Sequence, residues 1–213
     1  MPTTTVYSST TDGQILSSNA TYSNAREGTG TISANTTGAN QNVGQRLFAG
    51  TYTCWELFFN FDLIGAGIPA STVATSASLT FDINNDLSTT DFTLEARTKD
   101  WGASLTTADW VAGSAQSGQQ LLASISTSGI ANPFTMTNYV SGTDRLLDAV
   151  NNALAGDGIL RIMLCSDRHG SGTTPSGNEY LILYTADQTG TTNDPRISVT
   201  YTTPGEPFIA VIG

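Results

Sequence analysis

His169 is the sole histidine of the chain and stands in the run CSDRHG (165–170), beside Asp167 and Arg168. An imidazole beside an acid invites Ser-His-Asp chemistry, which also needs a serine brought to it by the fold. No G-x-S-x-G elbow is present. The simpler role is a histidine at the surface, or one that anchors the loop GSGTTPSGNE (170–179). Asp82, Asn84 and Asp86 (DINND) open like a calcium loop. Leu87 stands where that loop wants Gly, and Thr93 where it wants Glu, so an EF-hand is excluded. A looser calcium site of loop carboxylates and carbonyls stays open. Glu56 and Asp62 lie on one alternating run. A glycosidase pair is spatial and cannot be read from spacing; a solvated outer face, or a salt bridge to arginine, explains them more simply. One histidine and two distant cysteines, Cys54 and Cys165, make no zinc site, and no phosphate-cradling glycine motif occurs. We therefore expect no catalytic residue, no cofactor and no metal. Trp101, Trp110, Tyr139 and Tyr180 could stack on sugar rings. Trp101 and Trp110 are the candidate glycan contacts; their plainer role is to anchor a long loop on the sandwich edge.

The elements that must hold these residues read as strands. In residues 54–63 (CWELFFNFDL), Trp55, Leu57, Phe59, Phe61 and Leu63 take every second position, with Cys54, Glu56, Asn60 and Asp62 between them. A period of two means a strand with one dry and one mixed face. After a loop with Gly67 and Pro69, residues 76–83 alternate again, with Ala77, Leu79, Phe81 and Ile83 on one side. Further strands are expected at 4–8, 14–18, 91–98, 119–127, 134–140, 159–165, 180–184 and 196–201. Residues 19–45 are polar and glycine-rich and read as long loops around one short strand. Residues 100–113 read as a loop carrying both candidate tryptophans. One segment departs from this pattern: 143–154 (TDRLLDAVNNAL) spaces Leu146, Leu147, Val150 and Leu154 as a helix, with Thr143 or Asp144 to cap it.

With 213 residues, the chain suits one β-sandwich domain over 1–203 and an apolar C-terminal arm at 204–213. The arm ends in FIAVIG, whose Phe208, Ile209, Val211 and Ile212 are the candidate assembly contacts, because so apolar a segment needs cover. The net charge of −10 argues against nucleic acid and anionic membranes. No run is apolar enough to span a bilayer, and the start MPTTTVYSSTTDG lacks the basic and apolar regions of a signal peptide. Either a signal has been removed or the protein is assembled inside the cell that makes it, and Met1 favours the second. Both cysteines sit in strand-like runs and read as small buried hydrophobes rather than a disulfide.

The pattern Phe59-x-Phe61-Asp62-Leu63, then Ile68-Pro69, then Val73-x-x-Ser76-Ala77-x-Leu79 resembles the DNRLRE-type jelly-roll domains, which resemble carbohydrate-binding modules. Trp101, Trp110, the runs 158–164 and 179–186, and the closing Asp194-Pro195-Arg196-Ile197-x-Val199-x-Tyr201 follow in the expected order. The DNRLRE motif itself is absent, and no ligand-binding residue transfers. The stretches 97–113 and 166–197 and the start TTxYSSxxDG are similar to virion proteins of tailed bacteriophages. The resemblance implies an all-β jelly-roll sandwich with one short helix at about 143–154. It also implies a non-enzymatic structural role on a capsid or tail, in a homo-oligomer or against a major capsid or tail protein, exposed on the particle surface. A glycan-binding adhesion module of a fibre or bacterial surface is the alternative it implies.

Overall fold

A computed structural model describes residues 1–70, 72–137 and 145–203. The strands are β1 (Thr3–Tyr7), β2 (Gly13–Asn19), β3 (Thr31–Asn35), β4 (Asn40–Phe48), β5 (Thr51–Asp62), β6 (Val73–Phe81), β7 (Ile83–Asp86), β8 (Thr93–Thr98), β9 (Leu121–Ser126), β10 (Phe134–Met136), β11 (Ile159–Ser166), β12 (Asn178–Tyr184) and β13 (Arg196–Thr202). The helices are α1 (Tyr22–Glu27), α2 (Arg145–Ala155) and α3 (Asp167–Ser171). The fold is mostly β and antiparallel. A four-stranded sheet, β1-β13-β6-β10, faces a nine-stranded sheet that curls into a half-barrel around β5.

The expected helix is present as α2, and its apolar stripe Leu146, Val150 and Leu154 is buried in the core. Thr143 and Asp144, its expected caps, lie outside the described residues, as do Tyr139 and the tail residues Phe208, Ile209, Val211 and Ile212. Two shorter helices, α1 and α3, join it, so the expectation of one helix is corrected. Residues 19–45 are corrected most. They hold α1, β3 and most of β4, a nine-residue strand paired with both β5 and β12. Polar residues conceal β4: Gln41 and Gln45 are buried, with Gln41 Nε2 donating to Asn35 O and Gln45 Nε2 to Thr173 O. Gly44, at φ +125°, sits where an added Cβ would run into Glu179 O; only glycine lets β12 come that close.

β5 organises the molecule. One edge pairs with β2 from Tyr52 to Phe58. The other pairs with β4 over Thr51–Trp55 and with β11 over Leu57–Asp62. Its inward face places Leu57, Phe59, Phe61 and Leu63 at zero exposure against Leu79, Phe81, Ile197 and Val199 of the small sheet. Phe59 meets Phe81 at 5.3 Å between centroids. Each such side chain contributes roughly 1.5–3 kcal/mol of transfer free energy.

The molecule has two distinguishable ends. β5 finishes at Asp62 and the chain returns as β6 from Val73, so these ends adjoin. Leu63 N donates to Gly158 O (2.9 Å), and Ala74 N to Asn151 Oδ1 (2.8 Å). Thr202 pairs with Val73, and Tyr201 N donates to Pro2 O (3.1 Å). The chain's start and the exit of β13 thus share this end. The β4–β5 hairpin tip lies at the other.

Candidate functional site

Glu56, read from the sequence as solvated or salt-bridged to arginine, is neither. Its face of β5 points away from the sandwich core, yet residues 99–118, α1 and α3 roof it over and Glu56 has zero exposure. Under the roof it meets the one histidine. Glu56 Oε1 lies 3.7 Å from His169 Nδ1, and His169 is 1% exposed. Trp110 packs on the imidazole at 5.2 Å between centroids. The fold therefore gathers Glu56, His169 and Trp110 in one place.

Local chemistry decides their states. His169 Nε2 lies 3.0 Å from Arg26 O, which can only accept, so Nε2 carries the proton. Nδ1 is left as a lone pair facing Glu56 Oε1, and neither atom has a hydrogen-bond partner. Glu56 Oε2 accepts from Val111 N (3.0 Å). Burial pushes the Glu56 carboxyl well above its ordinary range, against the pull of the Val111 N–H. Burial also lowers His169 to about 4, against the raising effect of its bond to Arg26 O. Burial thus disfavours charge on both groups, the opposite of the charged carboxylate that orients the histidine of a triad.

The surrounding bonds clamp the roof. Arg26 Nε and Nη2 donate to His169 O and Gly170 O, each at 2.7 Å, while His169 donates to Arg26 O in return. Glu27 pairs with Arg26 and accepts from Ser114 Oγ (2.5 Å) and N (3.2 Å). Gly113 passes so close that an added Cβ would meet Arg26 and His169 O. A second chain of polar contacts runs alongside. Tyr22 OH donates to Gln45 Oε1 (2.7 Å), and Gln45 Nε2 donates to Glu179 Oε2 (2.8 Å). The same oxygen forms an ion pair with Arg168 Nε (2.8 Å).

Trp101 is apart from this group. It is 5% exposed and edge-on to Phe58 at 5.5 Å, in a small cluster with Leu105, Val111 and Met163. Its rings are spent on holding the roof down. Trp110 is half-buried, and its face is taken by His169. Tyr180 is buried against Trp55 at 4.9 Å. Asp62 is exposed and accepts from Gly65 N (2.7 Å) to close its turn. Asp82 is bound to Arg196 (2.8 Å), and Asp86 Oδ1 accepts from Ser88 N (2.9 Å). Among the described residues, no group of three or more His, Cys, Asp or Glu could hold a metal ion. Cys54 and Cys165 are free and buried, and burial raises both thiols.

Sequence reasoning passed over Arg46 and Phe48, at the opposite face and end of β5. Phe48 is 65% exposed and Arg46 lies over it, with the guanidinium carbon 5.4 Å from the ring centroid. The signal available was an arginine two residues from a phenylalanine at a strand end, which alternation alone does not separate from core. No protein-family model matches the chain, and no curated protein matches it.

Proposed function

We propose that the protein is a non-enzymatic structural component of a tailed-phage virion, a capsid decoration or tail-associated subunit on a carbohydrate-binding-module-like jelly roll. The observation that carries this reading is how the chemistry-bearing side chains are used. His169, Glu56, Glu179 and Arg26 each use a polar atom to fasten a roof to a sheet. Such a layer stiffens a platform, and it leaves function to ends and surfaces. The start of the chain and the exit of β13 share one end of the sandwich, which fits a subunit tethered there, with the hairpin tip facing outward. The apolar arm 204–213 would dock on a neighbouring copy or on a major capsid or tail protein.

Removal of 204–213 tests the reading. The truncated protein should keep its melting temperature and lose incorporation into particles, scored by gradient-purified virions. Wild-type incorporation would sink the arm's role. Absence of the full chain from purified particles would sink the virion reading itself. The second reading, a glycan-binding adhesion module, draws support from the hollow beside Arg46 rather than from Trp101 and Trp110.

A further inference from the structure

The inward face of β5 does not end with the core. Beyond Leu57 it continues as Trp55, Thr53 and Thr51, flanked in register by Leu16 and Ser18 of β2 and by Arg46 and Phe48 of β4. Here the small sheet no longer covers it. The result is a hollow of about 390 Å³ lined by Leu16, Ser18, Arg46, Phe48, Thr51, Thr53 and Trp55, within the range of small-ligand sites.

Arg46 is set apart from its fellows. Arg26, Arg97, Arg161, Arg168 and Arg196 each hold a carboxylate. Among the described residues none pairs with Arg46, whose Nε is buried and has no hydrogen-bond partner. Its guanidinium instead lies between two rings, 5.1 Å from the Trp55 centroid and 5.4 Å from that of Phe48. Stacking of this kind fixes the plane of the fork and leaves its terminal N–H groups to a ligand. The hydroxyls of Ser18, Thr51 and Thr53 make no hydrogen bond among the described residues. Phe48 offers an open ring face at the rim. It is held by a tight turn in which Ala49 and Gly50 both take positive φ, +48° and +76°, the backbone of a two-residue hairpin.

We propose that this hollow binds an acidic saccharide, with Arg46 forking the carboxylate of a hexuronate or sialate residue, Phe48 stacking on its ring, and Ser18, Thr51 and Thr53 meeting its hydroxyls. A planar fork matches a carboxylate bidentately, and an aromatic face beside free hydroxyls suits a sugar ring better than an aliphatic acid. The whole chain carries −10. A densely sulfated polyanion would be repelled, whereas a single carboxylate is satisfied by a single buried-edge cation. The site does not depend on the virion reading; it belongs to the fold wherever the protein is carried.

Isothermal titration of the full chain with oligogalacturonate, oligoguluronate and sialyllactose tests it, with methyl-esterified oligogalacturonide, acetate and heparin as controls. At least one acidic sugar should bind, and esterification should abolish binding. Arg46→Gln should weaken it roughly 10- to 100-fold, as expected for a lost charged hydrogen bond. Phe48→Ala should weaken it about tenfold, as expected for a lost stacking contact; Phe48 is exposed, so this variant keeps its fold. Silence of all three sugars at millimolar concentration overturns the proposal. So does acetate or heparin binding as well as the sugar, or sugar binding that neither substitution moves.

Discussion

The roofed layer over Glu56 and the hollow beside Arg46 lie on opposite faces of the same strand, and both combine a charged side chain with aromatic rings. Under the roof, the cation and the imidazole are given acceptors from the protein: Arg26 takes two carbonyls, and His169 takes a third. Burial raises the Glu56 carboxyl against the pull of the Val111 N–H and of Lys99. In the hollow the cation is left with rings and loose hydroxyls. The difference follows from cover. Residues 99–118 close the outward face, and a buried charge without partners is costly enough that bonds or protonation must satisfy it. The small sheet stops short of the hairpin tip, so Arg46 keeps contact with water and can remain uncommitted. Polar groups that hold a structure together and polar groups free to bind are told apart here by which partners are already in place, not by residue type.

The largest effect should come from the core that both regions lean on. Phe59→Ala removes a side chain with zero exposure, packed on Phe81, and should cost about 3–5 kcal/mol, read from urea denaturation midpoints. A loss under about 1 kcal/mol would mean that the two sheets are not coupled through β5 as described.

The next effect lies in pH. His169 has its protonation lowered to about 4 in the fold and takes up a proton near 6.5 when unfolded. The unfolded chain therefore binds more protons between those values, and His169 by itself should contribute a rise of about 3 kcal/mol from pH 4 to 6.5. Glu56 has the opposite sign. Its proton is retained in the fold and lost above about 4.5 when unfolded, so its contribution falls as pH rises above 4.5. The two slopes oppose one another where both groups titrate. His169→Gln should remove the contribution that rises with pH, and Glu56→Gln the one that falls, in midpoints measured across pH 4–9. A wild-type curve unchanged in both variants would break the contrast between sealed and open regions.

The smallest effect is expected at the open end. Phe48→Ala should change stability by less than about 0.5 kcal/mol, since the ring is 65% exposed. A larger loss would make Phe48 a support of the hairpin rather than a binding surface.

Much of the strand content was legible because an alternating apolar run has a single physical reading: Trp55 to Leu63 and Ala77 to Ile83 must put one face in a core, and α2 must bury Leu146, Val150 and Leu154. The strand β4 was not legible, because its buried residues besides Val43 are Gln41, Gly44 and Gln45, whose burial becomes favourable only when β12, Thr173 and Asn35 supply partners from distant positions. His169 was read as surface or loop-anchoring, and it anchors, from within. Glu56 was read on a face facing water, since alternation assigns faces to a strand without saying what lies above each one. By itself, then, the sequence determined the period of each element, the absence of a linear catalytic or metal motif, and which residues could not be left in water. Tertiary structure alone decided that the mixed face of β5 is roofed, that Glu56 and His169 meet where burial disfavours charge on both, and that Arg46 is left with rings in place of a carboxylate. The reason is that burial and charge state depend on long-range neighbours, and the local pattern carries no record of them.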